Sequence, residues 1–138
     1  MTDPFSWTVR VYYEDTDVSG VVYHANYLRF FERARTEWLR SLGFNQERLM
    51  QEQGVAFTVA SLDVGFHIPA RLDDELAVSV EVIRSGRASM HLKQEMHSLT
   101  KNKPLISTLN CRVGCVDAHS FRPAPMPAHI TKEIAHVS

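Results

Sequence analysis

One change of hydrophobic period constrains this chain more than any other feature. From His24 to Leu42 the apolar residues Tyr27, Leu28, Phe31, Ala34, Trp38 and Leu42 recur mainly at steps of three and four. That is the spacing of one helix face. Arg29, Arg33, Thr36 and Arg40 form the opposite, solvated face. Glu32 and Arg35 fall nearer the apolar side, three residues apart, and are expected to pair on the helix. Gly43 followed by Phe44 reads as a left-handed stop with its hydrophobic contact. A second, short helix is expected from Asn45 to Gln53, capped by Asn45 and ended by Gly54.

Beyond Gly54 the period falls to two. Phe57 to Ile68 reads as a strand with Leu62, Val64, Phe66 and Ile68 on one face. Leu76 to Arg84 alternates with Leu76, Val78, Val80 and Val82 inward, and Ser85-Gly86-Arg87 makes a hairpin turn. Ala88 to Ser98 turns Met90, Leu92 and Met96 to one side. After a turn at Lys101-Asn102-Lys103-Pro104, Leu105 to Val116 carries Leu105, Leu109, Cys111, Val113 and Cys115 together. Before the long helix, Trp7 to Tyr13 alternates Trp7, Val9, Val11 and Tyr13 against polar neighbours, a strand with one buried face. The tail from Asp117, with Pro123, Pro125 and Pro127, reads as mostly irregular, with a final helical turn or two from Ile130 to Val137.

These elements make an α+β domain: five strands in an antiparallel sheet with the early helix across one face. At 138 residues the chain, 1–138, is expected to be a single domain. One helix cannot cover both faces of such a sheet. Apolar surface left over favours self-association, at least a dimer.

The formal net charge is −1, which gives no long-range attraction for nucleic acid or an anionic membrane. No apolar run approaches the ~20 residues of a bilayer span, and MTDPFSWTVR holds no signal-peptide core. A cytoplasmic location is the expectation. Cys111 and Cys115 lie four residues apart in one strand, ~13 Å at strand spacing. That is too far for a disulfide, so they read as small buried hydrophobes. His67, His91, His97, His119, His129 and His136 show no metal-binding spacing, and there is no GxSxG nucleophile elbow.

Chemistry concentrates just before the long helix. Glu14, Asp15 and Asp17 put three acids in four positions, followed by the Ser19-Gly20 turn, Val21-Val22 and Tyr23-His24. A helix start exposes unpaired N–H groups and the positive end of the helix dipole. Such groups hold an oxyanion, and a nearby carboxylate acts as base or nucleophile. Three acids this close repel, which predicts one raised carboxyl pKa. Asp15 competes with Asp17 for the working role, but its neighbours suit it better to accept backbone N–H groups and order the loop.

The run Tyr13-x-Asp15-Thr16-Asp17-x-x-Gly20-Val21-Val22-Tyr23-His24-x-x-Tyr27-Leu28, followed by Glu32 and Arg35, closely resembles hotdog-fold acyl-CoA thioesterases of the 4-hydroxybenzoyl-CoA thioesterase type. Within them it is most similar to the bacterial branch associated with the Tol–Pal envelope system. The resemblance extends over nearly the whole chain, through the hairpin at Arg84 to Ser89 and the closing CVDAHSFRPAPMP. It implies a hotdog fold, a long helix wrapped by a curved five-stranded antiparallel sheet. It also implies protomers that pair by extending one sheet into the next, dimers that assemble into tetramers, and active sites at the protomer interface.

The resemblance places the catalytic carboxylate at Asp17, the helix-start position at His24 and a site tyrosine at Tyr13. The expected reaction is hydrolysis of an acyl-CoA thioester, with acyl-carrier protein as another possible substrate and with no metal or bound cofactor. Asp17 either attacks the carbonyl or activates a water. The His24 N–H is the candidate oxyanion donor. Tyr13 either packs or hydrogen-bonds substrate. Arg87, and after it Arg84, are candidates for the CoA phosphates, since arginine binds phosphate by bidentate charge-assisted bonds. Ordinary turn solvation is the alternative for both, as for Lys101 and Lys103. Phe57 or Phe66 is the expected acyl contact. Two other readings stand beside this one: a hotdog hydratase or dehydratase, and a non-catalytic partner of envelope or phospholipid-synthesis machinery.

Overall fold

Hydrophobic alternation builds the sheet as expected, and the strands close in the order β1-β3-β4-β5-β2, every pairing antiparallel. The computed structural model describes residues 4–100, 102 and 104–137. Lys101, Lys103 and the side chain of His136 lie outside what is described. The strands are β1 (Phe5–Arg10), β2 (Val55–Phe66), β3 (Glu75–Ser85), β4 (Ser89–Ser98) and β5 (Leu105–Asp117). The helices are α1 (His24–Ser41), α2 (Gln46–Gln53) and α3 (Ala128–Val137), with a 3₁₀ turn at Tyr13–Asp15.

The inner face of the sheet and α1 share one core. Phe30, Phe31 and Ala34 of α1 are fully buried against Leu76, Val78, Met96 and Leu109. Phe30 and Leu39 extend the buried stripe beyond the positions that the simple periodicity marks, because the curved sheet covers more than one helix face. Each large side chain sequestered here contributes about 1.5–3 kcal/mol. Gly43, at φ 89°, ends α1, and Gly54, at φ 68°, ends α2. Asn45 caps α2 by accepting the Arg48 N–H at 3.1 Å. These local signals act as expected.

Four expectations are corrected. The first strand stops at Arg10 rather than Tyr13. The Asp15 carboxylate takes the Tyr12 N–H at 2.8 Å, and this local bond replaces the sheet ladder. Tyr13 is therefore 82% exposed and not on a buried face. Trp7 is partly exposed as well.

The second correction is that Glu32 and Arg35 do not pair. Arg35 donates to Gln94 at 2.9 Å, and Glu32 accepts from Thr36 at 3.1 Å. Gln94 is fully buried and donates onward to the Phe31 carbonyl at 3.0 Å, so a neutral amide holds the guanidinium inside. Third, Ile68 lies beyond β2, whose ladder ends at Phe66. His67 and Ile68 both turn their N–H groups to the Ile106 carbonyl. Fourth, the tail ends in a ten-residue helix. Ile130 and Ile134, one turn apart, are fully buried in the core.

On β4 the outward residues are His91, Lys93, Glu95 and His97, and β5 adds Asn110 and Arg112; the outer face is polar. On β2, an edge strand, the inner face is apolar and open, with Val59, Leu62 and Phe66 41–45% exposed. Helix α1 covers them only in part, meeting Phe66 through His24 and Tyr27.

Cutting Phe30 to Ala empties the centre of the α1–sheet contact. We expect a loss of about 3–5 kcal/mol in urea unfolding, with a preserved far-ultraviolet dichroism spectrum in the absence of denaturant.

Candidate active site

The acidic loop is built around Asp15. The residue is 8% exposed. One carboxylate oxygen accepts the Tyr12 N–H at 2.8 Å, and the other accepts the Asn26 amide of α1 at 3.3 Å. Its carbonyl accepts the Tyr23 N–H at 3.0 Å. Asp15 thus ties the loop to the first turn of α1, in the ordering role expected of it.

Residues 16–22 then fold into a small hairpin. Thr16 bridges Val22, and Asp17 N–H donates to the Val21 carbonyl at 3.0 Å. Gly20, at φ 79°, completes the turn, a conformation that costs glycine nothing. Val22 N–H donates to the Ala70 carbonyl, and the Ala70 N–H donates to the Tyr27 hydroxyl at 3.0 Å. The hairpin is thereby pinned to the segment before β3 and to α1.

Asp17 is held at the exposed side of this hairpin. Its Oδ1 accepts both the Ser19 hydroxyl at 2.6 Å and the Ser19 N–H at 2.9 Å. These bonds, the hydroxyl first, hold the Asp17 pKa below the usual carboxylate value, and the nearby His24 pulls the same way. The expected carboxyl with a raised pKa is therefore not Asp17: hydrogen bonds to the charged form outweigh its slight desolvation. Asp17 is ionised at neutral pH.

His24 is the first residue of α1. Its ring meets Phe66 edge-on at 5.0 Å, and Phe66 also meets Tyr27 at 5.3 Å. Tyr23, at the N-cap, makes no side-chain capping bond. The Asn26 N–H is taken by the Tyr23 carbonyl. The N–H groups of His24 and Ala25 belong to the first turn, which has no intrahelical acceptors for them. An ionised carboxylate, an uncapped helix start and an aromatic floor from β2 thus lie together.

The structure does not bring every candidate to this place. Tyr13 stays in the loop with its phenol largely in solvent, its carbonyl taken by Thr16. Arg84 is exposed and contacts the His91 ring nitrogen across the ladder at 3.2 Å. Arg87 is exposed beyond the end of β3, its carbonyl accepting the Met126 N–H. The loop of Asp17 is tied to residues just before β3, whereas both arginines lie at or past its far end. Eleven residues of strand at ~3.3 Å each separate them by roughly 30 Å.

Sequence reasoning did not mark Ser19 as the partner of Asp17 or Asn26 as the clamp on Asp15. Ser19 had a legible signal, a hydroxyl two residues after an Asp in a turn. Asn26 had none, because its contact depends on how the loop returns to the helix. Phe57 lines a cavity of about 140 Å³ between α1 and β2, with Glu32, Arg35, Trp38 and Val59 also in its wall. Cys111 and Cys115 are free and buried, and burial pushes both thiols up. Among the described residues no cluster has the makings of a metal site, and no helix is long and apolar enough to cross a membrane.

Residues 11–134 match the model of the thioesterase-like superfamily. The chain is 44% identical over 133 residues to the acyl-CoA thioesterase YbgC of Haemophilus influenzae, covering 96% of each chain. Among solved structures, a probable thioesterase from Bartonella henselae superposes with a TM-score of 0.83 at 32% identity, covering 91% of this chain and all of that one. A 1,4-dihydroxy-2-naphthoyl-CoA thioesterase from Synechocystis superposes with a TM-score of 0.88 at 22% identity over 96% of both, a likeness of fold.

Replacing Ser19 with Ala removes the largest influence holding the Asp17 pKa down. We expect the Asp17 carboxyl titration, followed by nuclear magnetic resonance, to move to higher pH. The acid limb of any Asp17-dependent activity should move with it. An unmoved titration contradicts the assigned hydrogen bond.

Proposed function

The chain belongs to the thioesterase-like superfamily, and we infer that it is a hotdog-fold acyl-CoA thioesterase in which Asp17 and the start of α1 carry out hydrolysis. The observation that carries this reading is the placement of an ionised, solvent-facing carboxylate beside an uncapped helix start. Thioester hydrolysis needs both: a group that delivers oxygen to the carbonyl carbon, and donors for the negative charge that appears on the carbonyl oxygen.

Asp17 supplies the first in one of two ways. By direct attack, an Asp17 oxygen bonds to the carbonyl carbon, the carbon–sulfur bond breaks, and CoA leaves as thiolate. Water then cleaves the resulting anhydride. By base catalysis, Asp17 takes a proton from water as that water attacks, and the tetrahedral adduct expels the thiolate. In both, the His24 backbone N–H receives the oxyanion; one such donor contributes about 3 kcal/mol. The His24 ring and Phe66 bound the acyl side, and the Tyr13 phenol, free in solvent, is available to the substrate. Ser19 keeps Asp17 charged and aimed.

A second copy belongs in this reading. β2 is a twelve-residue edge strand with an exposed apolar inner face, a surface that pairs readily with another strand. Antiparallel pairing of β2 with its copy continues the sheet and turns the partner's β3–β4 end toward Asp17. The partner's Arg87 and Arg84 then serve the CoA phosphates that the same chain's arginines, at the far end of β3, do not approach. Two such dimers make the tetramer that the resemblance implies. Carrier-protein thioesters present the same acyl and pantetheine chemistry and belong to the substrate class. Two free, buried cysteines are in keeping with a reducing, cytoplasmic setting.

The direct test is free-thiol release over a panel of acyl-CoA and acyl-carrier-protein substrates. We expect turnover by the wild type and at least a hundredfold fall in Asp17→Asn with the fold intact. Equal turnover by both transfers the role to Asp15. No thiol release from any substrate moves the protein toward an interaction role. The shared site has its own test: Asp17→Asn and Arg87→Ala proteins, mixed and allowed to exchange, should recover about a quarter of wild-type turnover. Half of the dimers are then mixed, and each has one intact site. No recovery places Arg87 outside the partner's site.

A further inference from the structure

Arg35 is a half-buried cation that no acid engages directly. Its guanidinium is bonded to the neutral Gln94 amide, and burial lowers its pKa by more than the nearby Cys111 and Glu32 raise it. Among the described residues no acidic side chain forms an ion pair with it. A guanidinium has five N–H donors, and Gln94 uses one. Glu32, one turn earlier, is exposed and is engaged only by the Thr36 hydroxyl. Both line the cavity between α1 and β2. The two opposite charges share one groove, yet the side chains do not meet.

The position of this groove is specific. Phe66, at one end of β2, lies against His24 and Tyr27. Phe57, Thr58 and Val59, near the other end, face Thr36, Trp38 and Leu39 across the cavity. Helix α1 therefore runs antiparallel to β2. With ~1.5 Å per helical residue and ~3.3 Å per strand residue, Glu32 and Arg35 fall about level with the middle of β2, where the register slips at Ala60 between Val59 and Ser61. In the dimer proposed above, a two-fold axis that crosses β2 at this level brings positions 32 and 35 of the two copies toward one another.

We propose that a second copy of this chain covers the groove, and that across the two-fold axis Glu32 of each copy pairs with Arg35 of the other. The inference rests on the dimer proposed above and gives it a charge lock. In a two-fold contact, residue i meets j wherever j meets i, so the motif neutralises both half-buried cations with two identical pairs. Uncompensated, a half-buried guanidinium is costly; paired with a desolvated carboxylate it becomes strongly orienting, because removing either partner leaves the other buried and alone. The pair also fixes the strand register, since a slip of β2 separates the charges.

Charge reversal separates this pairing from every intrachain alternative. Glu32→Arg and Arg35→Glu, each alone, place like charges across the axis. Each should weaken the dimer at least tenfold in sedimentation, with dichroism confirming a folded protomer. The mixture of the two variants should dimerise again, because every cross-axis pair in the mixed dimer is then opposite in charge. Glu32→Gln, which keeps volume and adds no repulsion, should show a smaller weakening and guards against misfolding of the reversals. A wild-type protein that sediments as a monomer overturns the dimer itself. A dimeric wild type whose single reversals stay dimeric overturns the pair while leaving the dimer standing. Rescue only when both reversals sit in one chain, not in the mixture, makes the pair intrachain. Unchanged association with an altered acyl-chain preference makes the groove an acyl pocket instead.

Discussion

The site depends on a division of labour between two neighbouring carboxylates. Asp15 is buried and gives both oxygens to the protein, to the Tyr12 N–H and to the Asn26 amide. A buried carboxylate without such partners would be costly to charge; with them it fixes the loop against the first turn of α1. Asp17, two residues on, is left at the surface of a hairpin that the Asp15 bonds make rigid. Its own hydrogen bonds come from Ser19 in the same turn. That arrangement holds one oxygen and leaves the other available. Ionisation of Asp17 follows from donors, not from distance to the other acids.

The second constraint is geometric. Helix α1 packs on β1 and β3 and reaches β4 through Arg35 and Gln94, and the strand order leaves β2 at an edge with Val59, Leu62 and Phe66 partly bare. The same uncovered strip carries Phe66 to His24 and forms the floor of the groove that Glu32 and Arg35 share. The proposed catalytic surroundings and the proposed association surface therefore share one strip. Losing the edge position of β2 would remove both.

What was legible in the sequence was local or periodic. Asn45 and Gly54 bracket α2 because capping and left-handed backbone are decided within a few residues. The α1 stripe and the alternation of β3, β4 and β5 give the α+β architecture and its sheet. Asp17 and His24 fall side by side because they flank one turn. What was not legible depended on contacts between distant segments. The end of β1 at Arg10 is set by a side-chain bond that no alternation encodes. Gln94 reads as a polar interruption in β4, yet it is fully buried because α1 supplies Arg35 and the Phe31 carbonyl. The expected Glu32–Arg35 pair fails for the same reason: the core offered Arg35 a partner first. The distance between Asp17 and Arg87 needed the direction of β3, which only the assembled sheet supplies.

A crystal structure of the Asp17→Asn protein with an intact acyl-CoA reads directly where the thioester sits. We expect the carbonyl oxygen within about 3 Å of the His24 N–H, and the residue-17 side chain about 3–3.5 Å from the carbonyl carbon or linked to it through one water. A thioester bound with its carbonyl away from the start of α1, beyond the reach of residue 17 even through a water, would contradict the account.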